Sequence, residues 1–86
     1  MFHSLSFTGE GFKVGKLHIG NNIRKLRFEH GEMTQQQLAD KTGVTRQTIV
    51  AIESAKYSPS LELAFNIALA FDVPLEAVFF VEINDS

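Results

Sequence analysis

The 86-residue sequence contains no cysteine and no long hydrophobic run. The lack of cysteine excludes a disulfide framework and a thiolate metal site, and it fits a reducing cytoplasm. No apolar run approaches the ~18 residues that a membrane-spanning helix needs. The N-terminus also lacks the basic start and continuous apolar block of a signal peptide. We therefore expect a cytoplasmic protein that does not enter a membrane.

The sequence patterns that mark catalytic and metal sites are also missing. His3, His18 and His30 are far apart and do not have the spacing of metal ligands. There is no Ser/His/Asp arrangement, glycine-rich phosphate loop or paired-carboxylate motif. We expect neither an enzyme nor a protein that holds a metal or a cofactor.

Basic residues are absent from the C-terminal third. The chain has 8 Lys or Arg and 10 Asp or Glu, and its net charge of −2 is unusual for a protein that binds nucleic acid. Residues 22–58 are net positive, however, whereas residues 59–86 contain five acids and no Lys or Arg. If the protein binds DNA, the C-terminal third should lie away from the phosphates. The alternative is that these acids simply form a solvated face.

The stretch from Thr34 to Lys56 predicts two short helices joined by a tight turn. Thr34 and Thr45 can each cap a helix N-terminus through the side-chain oxygen. Gln37 stands three residues after the first threonine and can complete a capping box. Gly43 supplies the left-handed conformation that ends the first helix and turns the chain.

The second helix of this pair should present polar side chains at its N-terminal end. Ile49 and Ile52 recur at helical spacing and face inward, which leaves the first turn open. The exposed residues there are Arg46, Gln47 and Thr48. Arg suits the two acceptors of guanine and Gln suits the adenine edge, each as a two-point contact. A helix that offers these groups can bind in a DNA major groove.

These residues resemble the Xre type of helix-turn-helix, the family of phage Cro, phage repressors and many small bacterial regulators. The resemblance runs from about Ile19 to Phe79 and covers the runs IRKLR, MTQQQLADKTGVTRQTIVAIE, K-x-x-P-S-L and A-x-x-I-A-x-A-F. It implies an all-α, compact five-helix phage-repressor-like domain. We therefore divide the chain into an N-terminal extension (1–18, a strand or an arm), a helix-turn-helix DNA-binding domain (19–79) and a C-terminal tail (80–86), with room for short strands in the extension and the tail.

The resemblance also implies contacts outside the first exposed turn. Gln35 should contact the DNA backbone or a nearby base, although it can also be read as an ordinary exposed Gln. Ser54 and Ala55 replace the family's usual Asn-Gly, and Ser54 can still donate to a phosphate. The full set of expected DNA-binding residues is Gln35, Thr45, Arg46, Gln47, Thr48, Ala51, Ser54, Lys56 and Tyr57.

The family pattern and helical spacing together predict the packing of the first and fourth helices. The resemblance pairs Arg27 with Glu53 at the end of the recognition helix; the alternative is a solvated Arg. Asn21 or Asn22 should open the first helix. Its inner stripe should be Ile19, Ile23 and Leu26, and the core-facing residues of the fourth helix should be Leu61, Ala64, Ile67, Ala68 and Phe71.

The fourth helix carries more apolar surface than one small core needs. Phe65 and Leu69 are four residues apart and share a face, and the apolar tail Phe80–Ile83 follows. An 86-residue chain often gains stability from a partner subunit. Either a second copy covers this face, with the tail in the dimer seam, or residues 7–19 fold over it and the tail packs against residues 12–19. We favour the homodimer.

We predict a sequence-specific DNA-binding transcriptional regulator, a repressor that acts as a homodimer on a palindromic operator. One alternative is an antitoxin that represses its own operon and binds a toxin partner. Another is a protein-interaction module that has kept the fold and lost DNA binding. The open face of Arg46, Gln47 and Thr48 argues against the last alternative.

Overall fold

The computed structural model describes residues 17–82, which form five helices and one two-stranded antiparallel sheet. In chain order the elements are β1 (His18–Asn21), α1 (Ile23–Glu29), α2 (Gln35–Thr42), α3 (Arg46–Glu53), α4 (Leu61–Phe71), α5 (Leu75–Val78) and β2 (Phe79–Glu82). The predicted five-helix architecture with short strands is confirmed. None of the helices in residues 17–82 combines the length and the apolar character needed to cross a bilayer.

Local capping chemistry defines the two central helices as the sequence predicts. The Thr34 Oγ1 accepts from the Gln37 backbone N–H at 2.9 Å, and the Gln37 Oε1 accepts from the Thr34 N–H at 2.8 Å. Gly43 follows α2 with a φ of +78°, in the left-handed region. The Thr45 Oγ1 then accepts from the Thr48 N–H at 3.2 Å and opens α3. The left-handed Gly43 therefore ends α2, and the Thr45 cap begins α3 directly after the turn.

The small sheet joins the two ends of the described chain. Residue pairs run from His18 opposite Glu82 to Asn21 opposite Phe79. The Phe80 ring lies over Gly20, where an added Cβ would come within 2.4 Å of a ring carbon. Residues 79–82 thus pair within the same chain. Their partners are residues 18–21, which overlap the range 12–19 of the single-chain alternative only at residues 18 and 19. The predictions for residues 1–16 and for Ile83 concern parts of the chain outside the described residues.

The core draws buried side chains from all five helices and from the loop before α2. The predicted inner residues are confirmed with two exceptions. Ile19 lies in β1 rather than on α1 and is 40% exposed, because the helix begins only after Asn22. Leu61 is 68% exposed on the outer side of α4. The buried apolar residues are Ile23, Leu26, Met33, Leu38, Ala39, Ile49, Ile52, Ala64, Ile67, Ala68, Phe71 and Val78.

Candidate nucleic-acid interface

The first turn of α3 is open to solvent. Arg46 and Gln47 are exposed, and Thr48 is half-buried. Within residues 17–82, no hydrogen bond or ion pair engages the Arg46 or Gln47 side chain. The side chains of Ile49 and Ile52 on the opposite face are buried and hold the helix against the core. The two predicted base-reading side chains are thus accessible and, among the described residues, have no hydrogen-bond or ion-pair partner.

Thr45 and Thr48 are more constrained than their neighbours. Their hydroxyl oxygens lie 3.0 Å apart, and the Thr45 oxygen also caps the helix. These hydroxyls therefore have a structural task at the N-terminus of α3. Any contact that they make with DNA must coexist with the cap.

Val50 extends the exposed face of α3, and sequence reasoning missed it. Its side chain is 38% exposed, and it stands four residues after Arg46 and three after Gln47. Residues at these separations are neighbours on a helix surface. Ala51, which was predicted, is half-buried one turn beyond Gln47. An exposed apolar side chain next to the two predicted base-reading side chains suits contact with a thymine methyl group.

The far end of α3 is held by a largely buried ion pair, as predicted. The Arg27 Nε donates to the Glu53 Oε2 at 2.6 Å and the Arg27 Nη2 donates to the Oε1 at 3.2 Å. Each side chain is only 11% exposed. The Arg27 Nη1 also donates to the Met33 carbonyl at 2.8 Å. The guanidinium thus connects α1, the loop before α2 and the end of α3.

Gln35 joins the same cluster from the N-terminus of α2. Its Nε2 donates to the Glu53 Oε1 at 3.2 Å, and the residue is half-buried. This bond brings the start of α2 beside the end of α3. It also orients the Gln35 amide, so that a DNA contact by this residue would use the remaining amide groups.

The C-terminus of α3 closes in a Schellman motif even though the usual glycine is replaced by alanine. The Lys56 N–H donates to the Ala51 carbonyl and the Ala55 N–H donates to the Ile52 carbonyl, both at 2.9 Å. Ala55 adopts a φ of +63°, which a β-carbon disfavours. The Ser54 hydroxyl donates back to the Ala51 carbonyl at 3.2 Å, so it must turn away from the helix to reach a phosphate.

Lys56 is the last residue of this motif and Tyr57 follows it, and both side chains are exposed. Their position after the recognition helix suits contacts with the DNA backbone, which an ammonium and a phenol can both make.

Within residues 17–82, no group of acidic, histidine or cysteine side chains is arranged to hold a metal ion.

Two asparagines before α1 do more than sequence reasoning assigned to them. Asn22 occupies the N-cap position just before α1, but its side chain makes no capping hydrogen bond. The Asn22 Nδ2 instead donates to the Ala77 carbonyl at 3.1 Å. The Asn21 Nδ2 donates to the Ile52 carbonyl at 3.0 Å, at the end of α3. No local pattern predicts these partners, because they are distant in the sequence.

Known proteins share this arrangement. A family model described as helix-turn-helix matches residues 23–78. Over 62 residues the chain is 52% identical to an uncharacterized HTH-type transcriptional regulator of Methanocaldococcus jannaschii, and the match covers 72% of this chain and 92% of that protein. It is 33% identical over 60 residues to the immunity repressor protein of Bacillus phage phi105, covering 70% of this chain and 41% of the repressor.

A solved structure supports the same fold. The chain resembles the crystal structure of a candidate DNA-binding protein from Bacteroides fragilis, with a TM-score of 0.64 and 26% sequence identity. The likeness covers 72% of this chain and 98% of that chain. The shared part is therefore a complete unit in the other protein.

Breaking the buried ion pair should destabilise the fold. In Arg27→Met and Glu53→Gln, we expect a loss of roughly 3–5 kcal/mol of unfolding free energy, because the remaining charge is left buried without its partner. Urea unfolding measures this loss. The matched control is Lys25→Met, since the Lys25–Glu29 pair is 4.0 Å long with side chains 72% and 53% exposed. We expect that variant to change stability by less than about 0.5 kcal/mol. Equal effects at the two sites would contradict the buried role.

Restoring glycine at the Schellman turn should stabilise the protein. Ala55→Gly removes the strain at positive φ, worth roughly 1–2 kcal/mol, and costs part of that gain in unfolded-chain entropy. We expect a net gain of about 0.5–1 kcal/mol in urea unfolding. Ala51→Gly, inside α3, is the control with the opposite sign and should cost about 1 kcal/mol. A loss of stability in both variants would argue against the left-handed turn.

Proposed function

The chain belongs to the Xre/Cro-like helix-turn-helix family of DNA-binding transcriptional regulators, and we propose that it acts as a homodimeric repressor of a palindromic operator. Membership in this family makes it a DNA-binding regulator and not an enzyme. The proposed parts are the operator symmetry, the dimer, the sign of regulation and the residues that read DNA. Such a regulator works in the cytoplasm, where it can reach the DNA.

The exposed first turn of α3 is the observation that carries the DNA-reading proposal. Arg46 and Gln47 combine exposure with side chains that match guanine and adenine edges. The helix that bears them is anchored at its other end by Arg27 and Glu53. A fixed helix with free base-reading groups favours specific recognition over non-specific attraction to phosphate. Gln35, Ser54, Lys56 and Tyr57 complete the proposed contact set at the two flanks of α3.

The charge distribution supports the same orientation. The segment that carries α1 to α3 is net positive, while residues 59–86 contain only acidic charges. The helices α4 and α5 and the strand β2 would therefore lie on the side away from the phosphates. This leaves their apolar surface available for a protein contact.

That apolar surface is the basis of the proposed dimer. Leu61, Phe65 and Leu69 are spaced four residues apart on α4 and are 68%, 48% and 73% exposed. Phe80 and Val81 on β2 are also exposed. Residues 18–21 pair with β2, and the exposure of these side chains shows that the described residues leave much of the stripe on α4 uncovered. A two-fold contact would bury this stripe and set two recognition helices about 34 Å apart on one DNA face.

The sign of regulation rests on one relative. The phage phi105 protein that the chain resembles is an immunity repressor. A dimer that occupies an operator can block transcription without any ligand. We therefore propose repression.

Base-reading and phosphate-contacting residues should respond differently to alanine substitution. Arg46→Ala should cost about 1–3 kcal/mol of binding free energy and relax the preference at one or two base positions. Lys56→Ala should weaken binding to all sequences alike and reduce the salt slope by about one unit. The measurement is a titration with duplexes that the parent protein selects from a random pool and with shuffled versions. Equal losses on both duplexes for Arg46→Ala would contradict base reading by this residue.

Disruption of the α4 stripe should give a monomer. Phe65→Glu places a charge in the middle of the proposed contact, so light scattering at micromolar concentration should show half the parent's mass, and cooperative binding to paired half-sites should be lost. The control is Phe28→Glu, a similarly exposed phenylalanine on α1 (55% exposed, compared with 48% for Phe65). That variant should remain dimeric. A monomeric parent protein, with no dependence on paired half-sites, would contradict the dimer.

A further inference from the structure

The side-chain amide of Asn21 connects the small sheet to the C-terminal end of the recognition helix. The Asn21 Nδ2 lies 3.0 Å from the Ile52 carbonyl oxygen and 3.4 Å from the Glu53 carbonyl oxygen. Its Oδ1 accepts from the Ile23 N–H at 3.1 Å. All three contacts are half-buried. A flipped amide would set its oxygen against two carbonyl oxygens, so the three contacts together define one orientation.

We propose that Asn21 is a positioning residue for DNA recognition, which holds α3 at the angle that presents Arg46 and Gln47. The proposal builds on the proposed sequence-specific function. Asn21 is not expected to contact DNA itself. It acts through the backbone of α3, in the same way that Arg27 acts through the Glu53 side chain.

The carbonyls at the end of α3 explain why this contact matters. The last carbonyls of a helix have no partner within it and need donors from elsewhere. The Schellman turn supplies donors to the carbonyls of Ala51 and Ile52, and Ser54 N–H donates to Val50. Among the described residues, the donor that faces the Glu53 carbonyl is the Asn21 amide. The amide therefore completes the C-terminal cap of the recognition helix from a different element.

This link also fixes the direction of the helix. The Arg27–Glu53 pair holds the end of α3 through a side chain, which has rotatable bonds, whereas Asn21 holds the backbone. Asn21 is the last residue of β1 and lies opposite Phe79 of β2. The orientation of the recognition helix is thus tied to the sheet next to the proposed dimer surface.

Asn22 provides an internal control because its amide also donates to a carbonyl near the end of a helix, in this case α5. It is also half-buried, and its Nδ2 donates to the Ala77 carbonyl at the end of α5. Its backbone N–H donates to the Val78 carbonyl at 2.8 Å. Each of the two neighbouring asparagines thus donates from its amide to a carbonyl near the C-terminal end of a helix, but only the Asn21 amide reaches α3. Their substitution separates positioning of α3 from general stability.

The test compares Asn21→Ser, Asn21→Asp and Asn22→Ser. Serine at 21 keeps an oxygen for the Ile23 N–H but has no amide to reach the end of α3, and aspartate keeps the shape while losing both donors. Affinities are measured for a duplex that the parent selects from a random pool and for its shuffled version, well below each variant's melting temperature. For both Asn21 variants, we expect the ratio of the two affinities to fall by about fivefold or more. The salt slope should not change, because Asn21 neutralises no phosphate.

Asn22→Ser should melt earlier than the parent and keep the parent's affinity ratio. The proposal is overturned if the Asn21 variants keep that ratio, or if Asn22→Ser loses it equally. It is also overturned if the Asn21 variants are unfolded while Asn22→Ser is folded, since Asn21 would then serve overall stability. A parent protein that binds both duplexes equally would overturn the proposed function itself.

Discussion

The buried contact between Arg27 and Glu53 is the interaction on which the arrangement of the helices depends. The Glu53 carboxylate lies at the negative end of the helix dipole, which is unfavourable, and its burial adds a desolvation cost. Arg27 offsets both, and Gln35 adds a third donor. Because a buried pair contributes little net stability compared with apolar packing, we infer that its main effect is to favour one arrangement of α1, α2 and α3.

The local part of this structure could be predicted from the sequence, since its causes lie within a few residues. The capping box at Thr34, the left-handed Gly43 and the spacing of Ile49 and Ile52 all act over one or two helical turns. The same reasoning failed for Ile19 and Leu61. Apolar spacing alone does not show where a helix begins or which side of it meets the core.

Long-range contacts mark the limit of what residue patterns predict. The Arg27–Glu53 pair followed from a family resemblance, because no local rule links residues on different helices. Asn21 was predicted as a residue that could open α1, and its Oδ1 does accept from the Ile23 N–H, but its amide also donates to the Ile52 carbonyl, 31 positions away. Val50 could have been predicted, since it follows Arg46 by one turn. It is apolar, however, and only the polar residues of the first turn were expected to be exposed. The exposed first turn of α3 could thus be predicted from the sequence, whereas the asparagine contacts that support the helix could not.

We propose that two anchored α3 helices read neighbouring major grooves. Chemical footprinting and methylation interference on a duplex selected by the parent protein test it most directly. We expect two protected blocks on one face of the duplex, with centres about 10–10.5 base pairs apart. We also expect interference by N7 methylation at a guanine in each block, which disappears with Arg46→Ala. A single protected block, or protection without interference at any guanine that depends on Arg46, would contradict it.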